Sequence, residues 1–192
     1  MPPRIALFLV LASAFAMPGR ALAQGQGRTA PVPPGAVTGL VIPVSGMTCA
    51  LCTRGVETSI EGLDVVRGAS ADLASGLVRV EASAGKSLNI KDVKDRIQKA
   101  GFRVGGELEA EAVGRFGFGP DGRITFRVPG TPYAFQVLEG SELKRLFKEE
   151  PGLKGEFDLT FRLHEHPLWK PGAISIVRGE PHAPAGAPAV LR

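Results

Sequence analysis

Apolar residues recur along this chain with two periods, and the change from one to the other marks its elements. Leu40 to Val44 is a short apolar run ended by Gly46. It reads as a strand, with Pro43 confining it to an edge or to its last residues, because proline has no amide for a ladder. Val56, Ile60 and Leu63 then recur at three- and four-residue intervals, a helix face with Glu57 and Glu61 turned to water. Residues 65–72 and 77–82 are alternating runs joined by Leu73-Ala74-Ser75-Gly76, a hairpin with glycine where a positive φ is needed. Asn89 caps a second helix lined by Ile90, Val93 and Ile97, and Gly101 stops it. On its wet face Asp92 and Arg96, and Asp95 and Lys99, are acid-to-base pairs four residues apart. Phe102-Arg103-Val104 makes a last short strand. The order βαββαβ predicts a ferredoxin-like unit over 38–105: a four-stranded antiparallel sheet with both helices on one face.

Beyond Gly105-Gly106 the period of two dominates. Leu108, Ala110, Ala112, Phe116 and Phe118 share one parity, Pro120-Asp121-Gly122 turns the chain, and Ile124, Phe126 and Val128 resume the alternation. Tyr133, Phe135 and Val137 follow a turn at Pro129-Gly130. A helix comes next, capped by Ser141, with Leu143, Leu146 and Phe147 on one face and Pro151-Gly152 as its stop. Phe157, Leu159, Phe161 and Leu163, then Ile174 and Ile176, complete the series. Three strands, a helix and two strands is the order of an OB-like barrel, expected over 106–180 as a docking or dimerising module. The fold class is therefore α+β, a ferredoxin-like domain followed by a small, mainly-β barrel.

The ends of the chain read differently. Arg4 precedes an apolar run from Ile5 to Ala16, too short for a membrane span, and Ala21-Leu22-Ala23 is a small-x-small cleavage pattern. Residues 1–23 are expected to be a signal peptide, which addresses the protein to the periplasm. Residues 24–37 are Gly-, Pro- and Gln-rich, a flexible leader, and 181–192 alternate Pro, Ala and Gly as a disordered tail. No later apolar run is long enough for a membrane helix. Lysine and arginine number 23 against 19 acids; a leader carrying Arg4 and Arg20 away leaves 21 against 19, a charge near +2. That excludes an electrostatic nucleic-acid footprint.

Both cysteines of the chain stand in Gly46-Met47-Thr48-Cys49-Ala50-Leu51-Cys52, between the first strand and the first helix. Thiolates at the start of a helix lie at the positive end of its dipole, which favours the metal-binding, nucleophilic form, and Arg54 would add to this. Such soft ligands select Cu(I), or by the same softness Hg(II), which accept as few as two ligands, whereas zinc wants four. A redox couple and a structural disulfide remain open for the same pair, although Thr48 stands where thioredoxin-like enzymes usually carry an aromatic residue. A disulfide closing so small a loop stabilises little. Apart from these thiols no pairing of base and nucleophile is visible, so no enzyme is expected. His164 and His166 fall on one strand face as a possible imidazole pair with His182 a remote third, against the plainer reading of solvated residues at a strand end. Trp169 reads as a loop anchor.

This motif, with Val56-Glu57, the hairpin and Lys99-Ala100-Gly101-Phe102, resembles the heavy-metal-associated domain of copper chaperones, copper-ATPase amino-terminal modules and periplasmic mercury-binding proteins. The resemblance implies that Cys49 and Cys52 are the metal ligands, that Met47 props the loop from below, and that Phe102 is an apolar cover. It implies Cu(I), alternatively Hg(II), as the bound ion, and a metal donor or acceptor such as a membrane transporter as the partner. Leu51 and Thr53-Arg54 depart from the small residues usual around the second cysteine.

Overall fold

A computed structural model describes residues 35–166 and 169–183, with the side chains of 165–171 left aside. The signal peptide, the leader up to residue 34 and residues 184–192 lie outside the described residues, and so does the side chain of Trp169, on which its reading as a loop anchor rests. The elements run β1 (Val37–Ser45), α1 (Ala50–Glu61), β2 (Val66–Asp72), β3 (Leu77–Ala82), α2 (Ile90–Lys99), β4 (Arg103–Val104), β5 (Leu108–Phe118), β6 (Ile124–Arg127), β7 (Ala134–Val137), α3 (Ser141–Glu149), β8 (Phe157–His166) and β9 (Trp169–Pro181).

The first six form the expected βαββαβ unit, with β1 between β3 and β4 and β2 outside β3, all antiparallel. Leu40, Ile42 and Val44 of β1 and Val78 and Val80 of β3 are buried with Val56 and Ile60 of α1 and Ile90, Val93 and Ile97 of α2, the layer of a helix-covered sheet. Asn89 caps α2 as expected, its Oδ1 accepting from the amides of Lys91 and Asp92 at 3.0 and 3.4 Å. The wet-face pairing differs: Asp95 takes Lys91, one turn before it, at 2.5 Å. That contact raises the lysine pKa and lowers that of the carboxyl. Glu57 does not face water, since its Oε1 accepts from Ala71 N at 2.9 Å and holds α1 to the outer strand.

Pro43 acts differently from its expected role. β1 is an interior strand, paired with β3 along one edge and along the other with β4 and then β5. Val44 N donates toward β3, to Gly76 O at 2.8 Å, so Pro43 points its backbone the other way. There its carbonyl accepts from Gly105 N at 3.0 Å and its nitrogen has nothing to give. The chain opposite bulges at this point: Val44 pairs Val104, but Val41 pairs Glu109, so β4 and β5 run along the same side of β1 with an interruption at Gly105-Gly106. Gly106 sits at φ 71, and a Cβ there would touch the Pro43 ring at 3.4 Å. The boundary expected at Gly105-Gly106 thus falls at this interruption, with β1 paired on both sides of it.

Through β5 the sheet continues into a five-stranded ring, β5-β6-β7-β9-β8 and back to β5, with α3 between the third and fourth strands, roughly the OB-like order. β5 hands one edge from β1 to β6 at Val113 and Gly114, both buried beside Ala112, so the alternation breaks there. A side chain at Gly114 would strike Arg127 O at 2.5 Å and the Phe126 ring at 2.6 Å, which is why this bend carries glycine. Phe116 still points inward onto Phe126 and Phe157, while Phe118, expected on the same apolar face, has passed the barrel rim and is 78% exposed. The end of the leader is part of the core: Ala36 and Val37 are fully buried, and Val37 pairs Ala112. The tail's first residues are held too, since Pro181 pairs Phe157 and His182 Nδ1 lies 2.9 Å from Asp158 Oδ2.

Two polar contacts lock these layers. Tyr133, from the turn between β6 and β7, accepts from Ile90 N at 2.9 Å and donates to Asn89 Oδ1 at 3.1 Å, so a barrel residue satisfies the start of α2. Burial of the Tyr133 phenol raises its pKa. On the far side Glu142 accepts from Arg145 and from Gly179 N at 3.0 Å, and Arg145 also donates to Gly179 O at 2.6 Å, tying α3 to β9. The Arg145 hydrogen bond holds the Glu142 pKa below its ordinary value.

Tyr133→Phe leaves the Ile90 amide without its partner and should cost about 1 kcal/mol, a fall of about 3 °C in Tm with faster hydrogen exchange at Ile90. An unchanged Tm and unchanged exchange would remove Tyr133 as a cap. Because the Glu142 pKa is depressed in the folded state, its stabilisation is present above the ordinary carboxyl value of 4.5 and is lost as pH falls through the lower folded value. Urea unfolding of Glu142→Gln should therefore trail the parent at pH 7 and converge with it in acid.

Candidate functional site

Three chain segments meet at the end of the sheet where β1 finishes. Gly46, at φ 101, turns the chain out of β1, and a Cβ at that position would lie 3.7 Å from the Phe102 ring. Met47 is half-buried against the core, and Phe102 packs there as well, so both serve the loop by apolar packing. The β2–β3 hairpin stands alongside, fastened by the Val44 to Gly76 hydrogen bond, and its Asp72 is held below the usual carboxylate range by the Ser75 hydroxyl.

Cys49 is the N-cap of α1, with extended backbone at φ −155 and ψ 162. Its Sγ accepts from Cys52 N at 3.3 Å, and its carbonyl accepts from Cys52 N and Thr53 N at 3.0 and 3.2 Å. A sulfur thus stands where Ser or Asp usually caps, facing the free amides that make a helix start attractive to negative charge. No acidic residue occupies the first turn of α1 to oppose that attraction. Thr53 Oγ1 turns back to Ala50 O at 2.8 Å, and Thr48 Oγ1 lies 3.9 Å from Cys52 Sγ. Cys49 is exposed, Cys52 half-buried, and Leu51 between them is 83% exposed, so the pair opens to solvent beneath an apolar tip. Arg54 is turned to Glu57 Oε2, 3.6 Å away, and that carboxylate offsets the charge expected to act on the sulfurs. Cys49 and Cys52 are joined as a disulfide, with Cα atoms 5.2 Å apart. Closed, the pair offers no thiolate; opened by two electrons, it presents two sulfurs on one helical turn.

Among the described side chains, His164 and His182 each have partners of their own and do not meet each other. His164 is 26% exposed and bonded on both ring nitrogens, to Glu107 and Ser175, so it is not a solvated strand end. His182 sits near the opposite end of β8, on Asp158, and the side chain of His166 lies outside the described residues. Among the described residues no group of three or more His, Cys, Asp or Glu side chains is placed to hold a metal. The Glu107–His164–Ser175 row was missed in the sequence because its members are far apart along the chain. Only strand register brings them together.

A heavy-metal-associated domain model matches residues 41–103. The copper chaperone CopZ of Bacillus subtilis (strain 168) is 38% identical over 63 residues, which are 33% of this chain and 90% of that protein. CopZ of Staphylococcus aureus (strain Newman) is 31% identical over 64 residues, 33% of this chain and 93% of the relative. Among solved structures, a CopZ metallochaperone is 29% identical with a TM-score of 0.34, covering 35% of this chain and 100% of that one. A copper-binding domain from HMA7, a P-type ATPase, is 28% identical with a TM-score of 0.32, covering 35% and 90%. The chain belongs to the heavy-metal-associated domain family through residues 41–103, and carries a strand-rich barrel in addition.

Purified without reductant, the protein should take up no maleimide, and after dithiothreitol it should take up two per chain by intact mass. Full labelling before reduction would show that the sulfurs are held apart as free thiols.

Proposed function

We propose that the reduced Cys49 and Cys52 thiolates bind one soft cation, Cu(I) before Hg(II), and pass it to or from a partner protein in an exported compartment. The observation that carries this reading is the Cys49 sulfur at the N-cap of α1, exposed and within hydrogen-bonding distance of the Cys52 amide. The names of the sequence relatives, copper chaperones, support Cu(I) as cargo. Two ligands are enough for Cu(I), and an exposed two-coordinate ion lets an incoming thiolate add before the first leaves. Loading needs the disulfide opened first: an incoming dithiol is oxidised to its own disulfide, the pair gains two electrons and two protons, and the cation then displaces the protons. Leu51 and the half-buried Phe102 frame the exchange with apolar surface, and a membrane transporter with a matching thiol pair is the partner this chemistry suits. No helix of the described residues is long and apolar enough to cross a membrane.

The closed disulfide at a helix start also suits a thiol–disulfide oxidoreductase, so the test separates the two readings. Native mass spectrometry of the reduced protein under exclusion of oxygen should show one Cu(I) per chain, lost in both Cys49→Ser and Cys52→Ser. Equal loading of the variants would end the metal reading. The same protein should leave insulin unreduced in the presence of dithiothreitol, and rapid insulin precipitation would favour the oxidoreductase.

A further inference from the structure

Glu107, His164 and Ser175 form a hydrogen-bonded row on the outer side of the barrel. Strand register places them: Leu108 pairs Leu163, which sets Glu107 beside His164, and His164 pairs Ala173, two residues before Ser175. Leu163 and Ile174 are buried inside the barrel, so their neighbours His164 and Ser175 face outward together. Glu107 Oε1 lies 2.8 Å from His164 Nδ1, and Ser175 Oγ lies 2.7 Å from His164 Nε2. An ionised carboxylate only accepts hydrogen bonds, so Nδ1 carries the proton that meets Glu107. In the neutral ring that leaves the Nε2 lone pair facing the serine hydroxyl, the tautomer a general base requires. His164 is 26% exposed and Ser175 is held in a paired strand, while the Glu107 side chain is 55% exposed and reaches His164 from the residue before β5.

We propose that Ser175 is a nucleophile activated by His164, with Glu107 as the positioning residue, and that this site accepts acyl groups from activated esters. Ser175 Oγ bonds to the ester carbonyl carbon while its proton passes to His164 Nε2. The carbon–oxygen bond to the leaving group breaks, and the departing oxygen takes that proton, leaving an acyl ester on Ser175. Water then adds through its oxygen to the acyl carbon as its proton passes to Nε2; the bond from that carbon to Oγ breaks, Oγ takes the proton back from Nε2, and the carboxylic acid leaves. A positioned general base contributes about a hundred- to ten-thousand-fold, so reaction is expected with esters whose leaving group is already good. The row shares no residue with the cysteine loop and does not depend on the metal reading.

The test uses p-nitrophenyl acetate on the full chain carrying Cys49→Ser and Cys52→Ser, since free thiols also attack esters. After an acid quench, peptide mapping should place an acetyl group on Ser175. His164→Gln should slow its appearance at least tenfold, Glu107→Gln several-fold, and added imidazole should restore part of the rate in His164→Ala. An unacetylated Ser175, or an unchanged rate in His164→Gln, overturns the proposal. A tenfold loss without imidazole rescue reduces His164 to a packing group and overturns its role as base.

Discussion

Pro43 has no amide to donate, and the edge of β1 is divided at that residue. Above it, Ser45 and Val44 pair with β4; below it, Val41 to Val37 pair with β5. The bulge at Gly105-Gly106 absorbs the missing hydrogen bond, and β4 and β5 run along the same side of β1. Because β5 then closes a barrel with β8 and β6, the barrel is built onto the sheet and not tethered beside it. Buried residues of both parts, Leu40 and Val93 on one side and Phe126 and Phe161 on the other, belong to one continuous core.

The sulfurs lie past one end of β1. Eight steps of about 3.3 Å put the Val37 end about 26 Å from the Ser45 end. The sulfurs stand beyond Ser45, where the sheet ends and the first turn of α1 begins. There the local design is electrostatic, since a helix start without acidic residues meets a sulfur with its free amides. The disulfide hides that design by removing the charge it would stabilise, so whether the site acts as a ligand pair depends on electrons supplied from outside the chain.

Local periodicity made much of this legible. The helix faces, the Asn89 cap, the Gly76 and Gly101 positions and the alternating barrel strands all follow from residues close together in the chain, where propensity and burial agree. What could not be read depends on register. Pro43 looks like an edge signal until its nitrogen is seen to face a bulge in the neighbouring strand. Phe118 keeps the parity of Leu108 yet lies outside, because β5 bends at Gly114 and outruns the barrel. The cysteine pair was visible because the motif is contiguous, whereas Glu107, His164 and Ser175 converge only once β5, β8 and β9 are aligned.

The helix α2 joins the two regions more directly than the sheet does. At its start, the Tyr133 hydroxyl from the barrel takes the place of a solvent partner for Ile90 N. At its end, Phe102 N donates to Ile97 O and the Phe102 ring lies beneath Gly46, the residue that launches the cysteine loop. Its inner face, Ile90, Val93 and Ile97, is buried along the whole length between these points. A helix fixed at both ends and along one side has a single arrangement, and a coupled switch needs two. Barrel and cysteine loop thus contact opposite ends of one helix through Tyr133 and Phe102. Under the proposed transfer role, such a fixed helix would spare the reordering of a loop at each exchange.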